Sequence, residues 1–172
     1  MSSLKPRTAL FGALALTILT IAAAWGFQLI GGYMPCPLCY RQRWPYYAAI
    51  VLGLALMPIA RKSEHTAALR FGLFAFAAIM LVSFALGLHH AGVEWGWWPG
   101  PDSCAAGPSL GRSGSILPDL SHPQVVSCTE AQWRLFGLSF AGYNALISLL
   151  IAAIAAFGAL AGRRATPVAH SR

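Results

Sequence analysis

Charge is what this chain has least of. Only 10% of its 172 residues are Asp, Glu, Lys or Arg, where soluble globular domains carry roughly 25%. With a mean hydropathy of +0.60 and long uncharged runs, this excludes a water-soluble domain and defines an integral membrane protein. Acids are scarcest, five in all, and apart from the residues at their ends the apolar spans hold no Asp, Glu, Lys or Arg. That removes the carboxylate or lysine on which a proton relay or ion path inside a bilayer depends. There is no internal repeat and no linker to a second unit, so residues 1–172 read as a single integral membrane domain. A dense basic cluster interleaved with aromatics is also missing, so the pI near 9.8 gives no case for nucleic-acid binding.

What is present is apolar sequence in lengths that suit a bilayer. Crossing about 30 Å of hydrocarbon takes about 20 apolar residues, and four windows meet or approach this: Thr8–Ile30, Trp44–Ala60, Phe71–His89 and Leu135–Ala161. The second is the shortest. The first follows Lys5 and Arg7 in the manner of a signal peptide, but its apolar run is too long and lacks a clear cleavage pattern before a soluble domain. It reads as a retained helix. Since every backbone group in lipid must be satisfied internally, the expected fold is an all-α, four-helix transmembrane bundle with a short interfacial helix. Gln28, Ser83, Asn144 and Ser148 are expected to hydrogen-bond between helices.

The few charges orient the bundle. Lys5, Arg7, Arg61, Lys62, Arg70, Arg163, Arg164 and Arg172, eight basic residues less the single acid Glu64, place +7 at the termini and in the 61–70 connection. The loops at about 31–43 and 90–134 balance Arg41, Arg43, Arg112 and Arg134 against Glu94, Asp102, Asp119 and Glu130. The positive-inside rule then puts both termini in the cytoplasm and both loops on the far side, where disulfides persist. The 90–134 loop is rich in Pro and Gly and has neither helical nor strand periodicity, which favours function over a core of its own. Ser127-Cys128-Thr129-Glu130 fits a capping box and predicts the interfacial helix from about Cys128. Trp25, Trp44, Trp95, Trp97, Trp98 and Trp133 fall near the ends of spans on the loop side, as an aromatic belt does.

All four cysteines avoid the spans: Cys36 and Cys39 in Pro35-Cys36-Pro37-Leu38-Cys39, then Cys104 and Cys128. Cysteines kept only as small hydrophobes would be scattered through the apolar runs, so two pairs in two loops point to thiol chemistry. In a Cys-x-x-Cys one thiol is open to attack and the other resolves, and nearby positive charge favours the thiolate. Arg41 and Arg43 supply that charge, and Pro45 suits the N1 position of the second helix. Zinc is disfavoured because 23 residues separate Cys104 from Cys128, unlike paired knuckles; no metal is expected. Haem attachment fails because Tyr40 follows Cys39. A structural disulfide closing a loop of that size could stabilise by roughly 3 kcal/mol, and that reading stays open. If thiols are oxidised at this surface, a lipid-soluble acceptor is the natural sink for the electrons.

These motifs carry a resemblance. Cys36-Pro37-Leu38-Cys39-Tyr40-Arg41-Gln42-Arg43, His90-Ala91-Gly92-Val93-Glu94, Cys104, Cys128, Trp133-Arg134-Leu135-Phe136-Gly137 and Ala141-Gly142-Tyr143-Asn144 together resemble the bacterial disulfide bond formation protein B (DsbB) family over about residues 8–161. The resemblance implies a quinone-dependent thiol-disulfide oxidoreductase of the bacterial inner membrane, with both cysteine loops periplasmic and ubiquinone or menaquinone as acceptor. Its partner would be a DsbA-like periplasmic thiol oxidase. Cys36 and Cys39 would be the quinone-coupled pair, with Cys39 the thiolate facing the ring. Arg43 would stabilise thiolate and quinone oxygen, and His90 would lie nearby. Cys104 and Cys128 would form the disulfide that accepts electrons from the partner, Cys104 carrying the mixed disulfide. Pro37 and Pro45 depart from the family pattern in ways that bear on redox poise. The readings from other classes are a disulfide-stabilised scaffold, a small-solute transporter and a vitamin K epoxide reductase-like enzyme.

Overall fold

The computed structural model describes residues 5–63, 66–101 and 127–161. Four helices dominate: α1 (Pro6–Leu29), α2 (Pro37–Lys62), α3 (Ala67–Glu94) and α4 (Phe140–Ala161). A two-stranded antiparallel ribbon, β1 (Arg134–Leu135) and β2 (Leu138–Ser139), precedes α4. All four helices are long and apolar enough to cross a membrane, so the chain is a multi-pass membrane protein. Each helix packs on the next in sequence and α4 closes the ring on α1. The core between them contains Leu10, Leu73, Phe76, Met80 and Ile151, all buried, while Val51, Phe71 and Phe157 point outward. Apolar residues on both faces of a helix are what a lipid surround allows. Two glycines let α4 approach its neighbours closely. A Cβ at Gly87 would meet the Ala145 backbone nitrogen at 2.9 Å, and one at Gly158 would strike the Ala9 side chain, so α4 lies against α3 and α1 at small-residue contacts.

The helix ends shift the cysteines from where the sequence put them. Hydropathy starts the second helix near 44, but α2 begins at Pro37 with Cys36 as its N-cap. Pro37 has the backbone angle that the first helical position needs and no N–H to leave unsatisfied, and Cys36 Sγ accepts from the Cys39 N–H at 3.2 Å. Pro45, expected at N1, is inside α2, where its ring denies the Arg41 carbonyl its usual donor. Helix α3, capped by Thr66 Oγ1 accepting from Leu69 N–H, likewise runs on past 89 and places His90 and Glu94 in its last turn.

No helix begins at Cys128. Residues 127–133 are irregular: Ser127 Oγ accepts from the Thr129 N–H at 3.2 Å and meets the Thr129 hydroxyl at 2.8 Å. This local turn takes the place of the expected capping box. Helix α4 starts at 140, not 135, because Phe136 (φ 49°) and Gly137 (φ 81°) form a two-residue hairpin loop with both angles positive. A polar chain crosses the bundle. Tyr46 hydroxyl donates to Asn144 Oδ1 at 2.7 Å and lies 2.9 Å from Ser148 Oγ, which donates to Ser83 Oγ at 2.9 Å. Of the four polar residues expected to bridge helices, Ser83, Asn144 and Ser148 do so here, and Gln28 does so below.

Candidate active site

The start of α2 and the end of α3 meet over a cavity of about 330 Å³ that all four helices line. Cys36, Cys39, Arg43 and His90, read separately from the sequence, are all on its wall. Cys36 and Cys39 are thiols with their sulfurs 2.8 Å apart. His90 Nε2 is 3.6 Å from Cys36 Sγ, and its Nδ1 meets the Gln42 side-chain nitrogen at 2.6 Å. Nε2 also lies 3.7 Å from Glu94 Oε1, with both side chains about 5% exposed or less. The Cys36 thiol is pulled down from its ordinary value of 9.0 to about 4. The largest cause is the hydrogen bond from the Cys39 thiol; His90 acts in the same direction, and burial opposes both. While both thiols are reduced these contacts favour the charge on Cys36, so Cys39 carries the charge only when Cys36 is bonded to another sulfur.

Arg43 is held with its guanidinium over two rings. Its Nη1 donates to Gln28 Oε1 at 2.7 Å, and the guanidinium lies 5.0 Å from the Trp25 ring and 5.3 Å from the Tyr40 ring. A planar, permanently charged group suits such stacking, where a lysine ammonium would not. Trp25 in turn donates from Nε1 to the Tyr47 hydroxyl at 3.0 Å, so this belt tryptophan also supports the site. Opposite, Phe27, Tyr33, Trp133 and Phe140 form an aromatic wall: Trp133 stacks on Phe140 at 4.9 Å, and Phe27 meets Phe140 edge-on at 4.9 Å. The Gln132 side chain donates to the Met34 carbonyl at 2.7 Å and ties this wall to the segment before α2.

Cys128 is buried in one apolar cluster with Cys36, Leu38 and Val93, against which Cys39 packs, and is part of a disulfide. Cys104 lies outside the described residues. The sequence reading missed Gln42, Glu94, Gln28 and the aromatic wall. Gln42 and Glu94 are at i+3 from Cys39 and i+4 from His90, the same helix face, a signal usable only once α2 and α3 are extended to their true ends.

A dithiol at a helix start, open to an apolar cavity within a membrane bundle and near a buried, disulfide-bonded Cys128, defines a membrane-embedded thiol–disulfide protein. A family model described as "Disulfide bond formation protein DsbB" matches residues 6–158, and the chain belongs to that family. Its role is therefore in disulfide bond formation, as a disulfide oxidoreductase. The chain is 28% identical over 155 residues to the disulfide bond formation protein B of Marinobacter nauticus, covering 86% of each chain. It is 28% identical over 123 residues to the protein of that name from Actinobacillus pleuropneumoniae, covering 68% of this chain and 65% of the other. An uncharacterised Rickettsia prowazekii protein is 26% identical over 141 residues, covering 80% and 78%. No solved structure matches the chain.

Proposed function

We propose that the protein oxidises a reduced, DsbA-like thioredoxin-type partner in the periplasm and delivers the electrons to membrane quinone. The observation that carries this is the placement of Cys36 and Cys39 on the wall of one aromatic-lined cavity with Arg43, while Cys128 is buried in the same cluster as Cys36. The residues suit a quinone ring: Phe27, Tyr33, Trp133 and Phe140 offer apolar faces, and Arg43 and His90 offer hydrogen-bond donors to ring oxygens. When bound, the quinone supplies a two-electron, two-proton acceptor. Net positive charge confined to the termini and the 61–70 connection supports cytoplasmic termini and periplasmic loops in the bacterial inner membrane.

The electron route then has an order. The partner's dithiol reduces a Cys104–Cys128 disulfide, with Cys104 carrying the mixed disulfide. Reduced Cys128 attacks Cys36 of the oxidised pair, which is buried in the same cluster, forming a Cys36–Cys128 bond and expelling Cys39 as thiolate. Arg43 lines the same cavity as that sulfur and steadies its charge. Cys104 then attacks Cys128, re-forming the loop disulfide and returning Cys36 as a thiol. The Cys36–Cys39 bond re-forms as two electrons and two protons leave the pair for the quinone, and the partner has lost two hydrogens overall. The test is a detergent-solubilised preparation given reduced partner and a short-chain ubiquinone, with quinol formation followed by absorbance. Turnover that stops with Cys36→Ser or Cys39→Ser is expected. Partner oxidation that continues without quinone, or without this pair, would overturn the proposal.

A further inference from the structure

The same dithiol, in its reduced form, has the donors and spacing of a metal site, and the thiol chemistry above leaves one of the surrounding groups unexplained. Cys36 Sγ, Cys39 Sγ and a His90 ring nitrogen all lie within 4.8 Å of one another. A tetrahedral zinc-type ion with bonds of about 2.3 Å to sulfur and about 2.0–2.1 Å to nitrogen sets sulfur–nitrogen edges of about 3.6 Å and sulfur–sulfur edges of about 3.8 Å. The Cys36–His90 edge is 3.6 Å as it stands. The Cys36–Cys39 edge, 2.8 Å, has to open by about 1 Å to reach that geometry, which rotation of the half-buried Cys39 side chain allows. The Gln42 side-chain amide lies 2.6 Å from His90 Nδ1; turned over so that its oxygen accepts from Nδ1–H, it leaves the Nε2 lone pair to a metal, the bracing that metal-binding imidazoles have.

Glu94 supplies the independent observation. Its side chain is 5% exposed, Oε1 is 3.7 Å from His90 Nε2, and Oε2 has no hydrogen-bond partner among the described residues. A carboxylate oxygen sequestered from water in this way ordinarily has a cation or donor to meet.

We propose that reduced Cys36 and Cys39, with His90, form a three-donor binding site for a thiophilic divalent cation of the zinc class, with the Glu94 carboxylate beside His90. Two thiolates and an imidazole are the donors such a soft-to-borderline ion selects. Binding forms two metal–sulfur bonds and one metal–nitrogen bond, the thiol protons pass to solvent, and no electron moves. The oxidised pair has no thiolate to offer, so the site exists in one redox state only. A bound ion occupies the lone pairs that disulfide exchange uses, and it arrests the reduced protein until it is removed. The arrest rests on the oxidase reading; the binding itself does not.

The test uses the full chain in detergent, freed of quinone, with Zn²⁺ followed by calorimetry and Cd²⁺ by thiolate-to-metal absorbance. A Cys104→Ser, Cys128→Ser background leaves a single dithiol, and wild type is run beside it. One ion per reduced chain is expected, with none on the oxidised pair and none after Cys39→Ser. Affinity should fall about ten- to a hundredfold with Gln42→Ala, the loss typical when a ligand's support is removed, and at least as far with His90→Gln. Reduced wild type that takes up no ion, or binding indifferent to His90→Gln, would overturn the three-donor site. Wild-type turnover with quinone should be blocked by prior Zn²⁺ and restored by a chelator. Turnover unaffected by a bound ion would overturn the arrest, whereas absence of turnover without any metal would sink the oxidase reading and leave the site standing.

Discussion

Replacing Arg43 with Lys keeps the charge and removes the shape. Arg43 makes one charge-assisted hydrogen bond, 2.7 Å to Gln28, and lies near two rings, Trp25 and Tyr40. Its side chain is 9% exposed, so these contacts are little diluted by water. Ring contacts of this kind are worth about 0.5–2 kcal/mol each, and a charged hydrogen bond about 1.5–3 kcal/mol. Lysine recovers part of both through its ammonium, but it cannot lie flat over two rings while also donating to Gln28 and into the cavity. A net loss of about 1–2 kcal/mol in holding a quinone oxygen corresponds to a roughly five- to thirtyfold rise in apparent KM for quinone. The assay is quinol formation across a quinone titration at saturating reduced partner, with partner disulfide exchange measured separately under single-turnover conditions. The partner's exchange with the loop disulfide should be unchanged, since among the described residues Arg43 contacts Gln28, Trp25 and Tyr40 and not Cys128. An unchanged KM for quinone would refute the reasoning and leave Arg43 as a brace between α1 and α2.

Tyr46→Phe removes the hydroxyl shared by Asn144 and Ser148 and should destabilise the bundle by about 1–3 kcal/mol, read as a lower unfolding midpoint in detergent; an unchanged midpoint would mean the chain of hydroxyls contributes nothing net. Because Cys36 is lowered to about 4, its charged form is present above that pH and lost below it, so carbamidomethylation of the reduced protein should stay fast down to about pH 5, and a profile that falls below pH 9 like an ordinary thiol would contradict the hydrogen bond from Cys39. After reduction, a membrane-impermeant thiol reagent should label the cysteines from the periplasmic side only, and labelling from the cytoplasm would reverse the orientation. A Cys104→Ser, Cys128→Ser variant should still pass electrons from a small dithiol to quinone but fail with the protein partner; full partner oxidation would reduce that disulfide to a staple.

The fold was legible because lipid permits so few solutions. Four uncharged runs of near-bilayer length leave little besides four helices, and the helices form where the runs are. Their ends were less legible, because hydropathy registers where a span leaves lipid and not where its hydrogen bonds stop. Arg41, Gln42 and Arg43 interrupt the apolar run and hide the true start at Pro37, which the proline and the Cys36 cap determine. The hairpin before α4 was hidden for the opposite reason: Leu135, Phe136 and Leu138 look like more span, and only the positive angles at Phe136 and Gly137 turn the chain. Residues close in sequence, such as Cys36, Cys39 and Arg43, were readable as a site. The aromatic wall joins positions 27, 33, 133 and 140, and no local pattern announces a contact made only by folding.

Starting α2 at Pro37 also bears on the direction of electron flow. A Cys-x-x-Cys in a loop presents two sulfurs with no fixed difference between them, whereas one at a helix start makes one sulfur the cap and sets the other a turn further along. Cys36, the cap, is buried in the same apolar cluster as Cys128 while Cys39 packs at its edge, and only Cys36 receives the Cys39 N–H. Cys39 is in the first turn, with Gln42 and Arg43 following on the wall of the same cavity. Unequal surroundings of this kind favour attack at Cys36 and departure of Cys39, since the leaving sulfur is the one that emerges facing the cavity and Arg43. Substituting Pro37 offers a handle on this asymmetry that touches no reacting atom. If Pro37→Gly frays the first turn, the two sulfurs should become more alike, and exchange with Cys128 should lose its preference for Cys36, as read from the ratio of trapped Cys36–Cys128 to Cys39–Cys128 disulfides. A preference that survives a frayed turn would locate the asymmetry in His90 and its 3.6 Å contact with Cys36 instead.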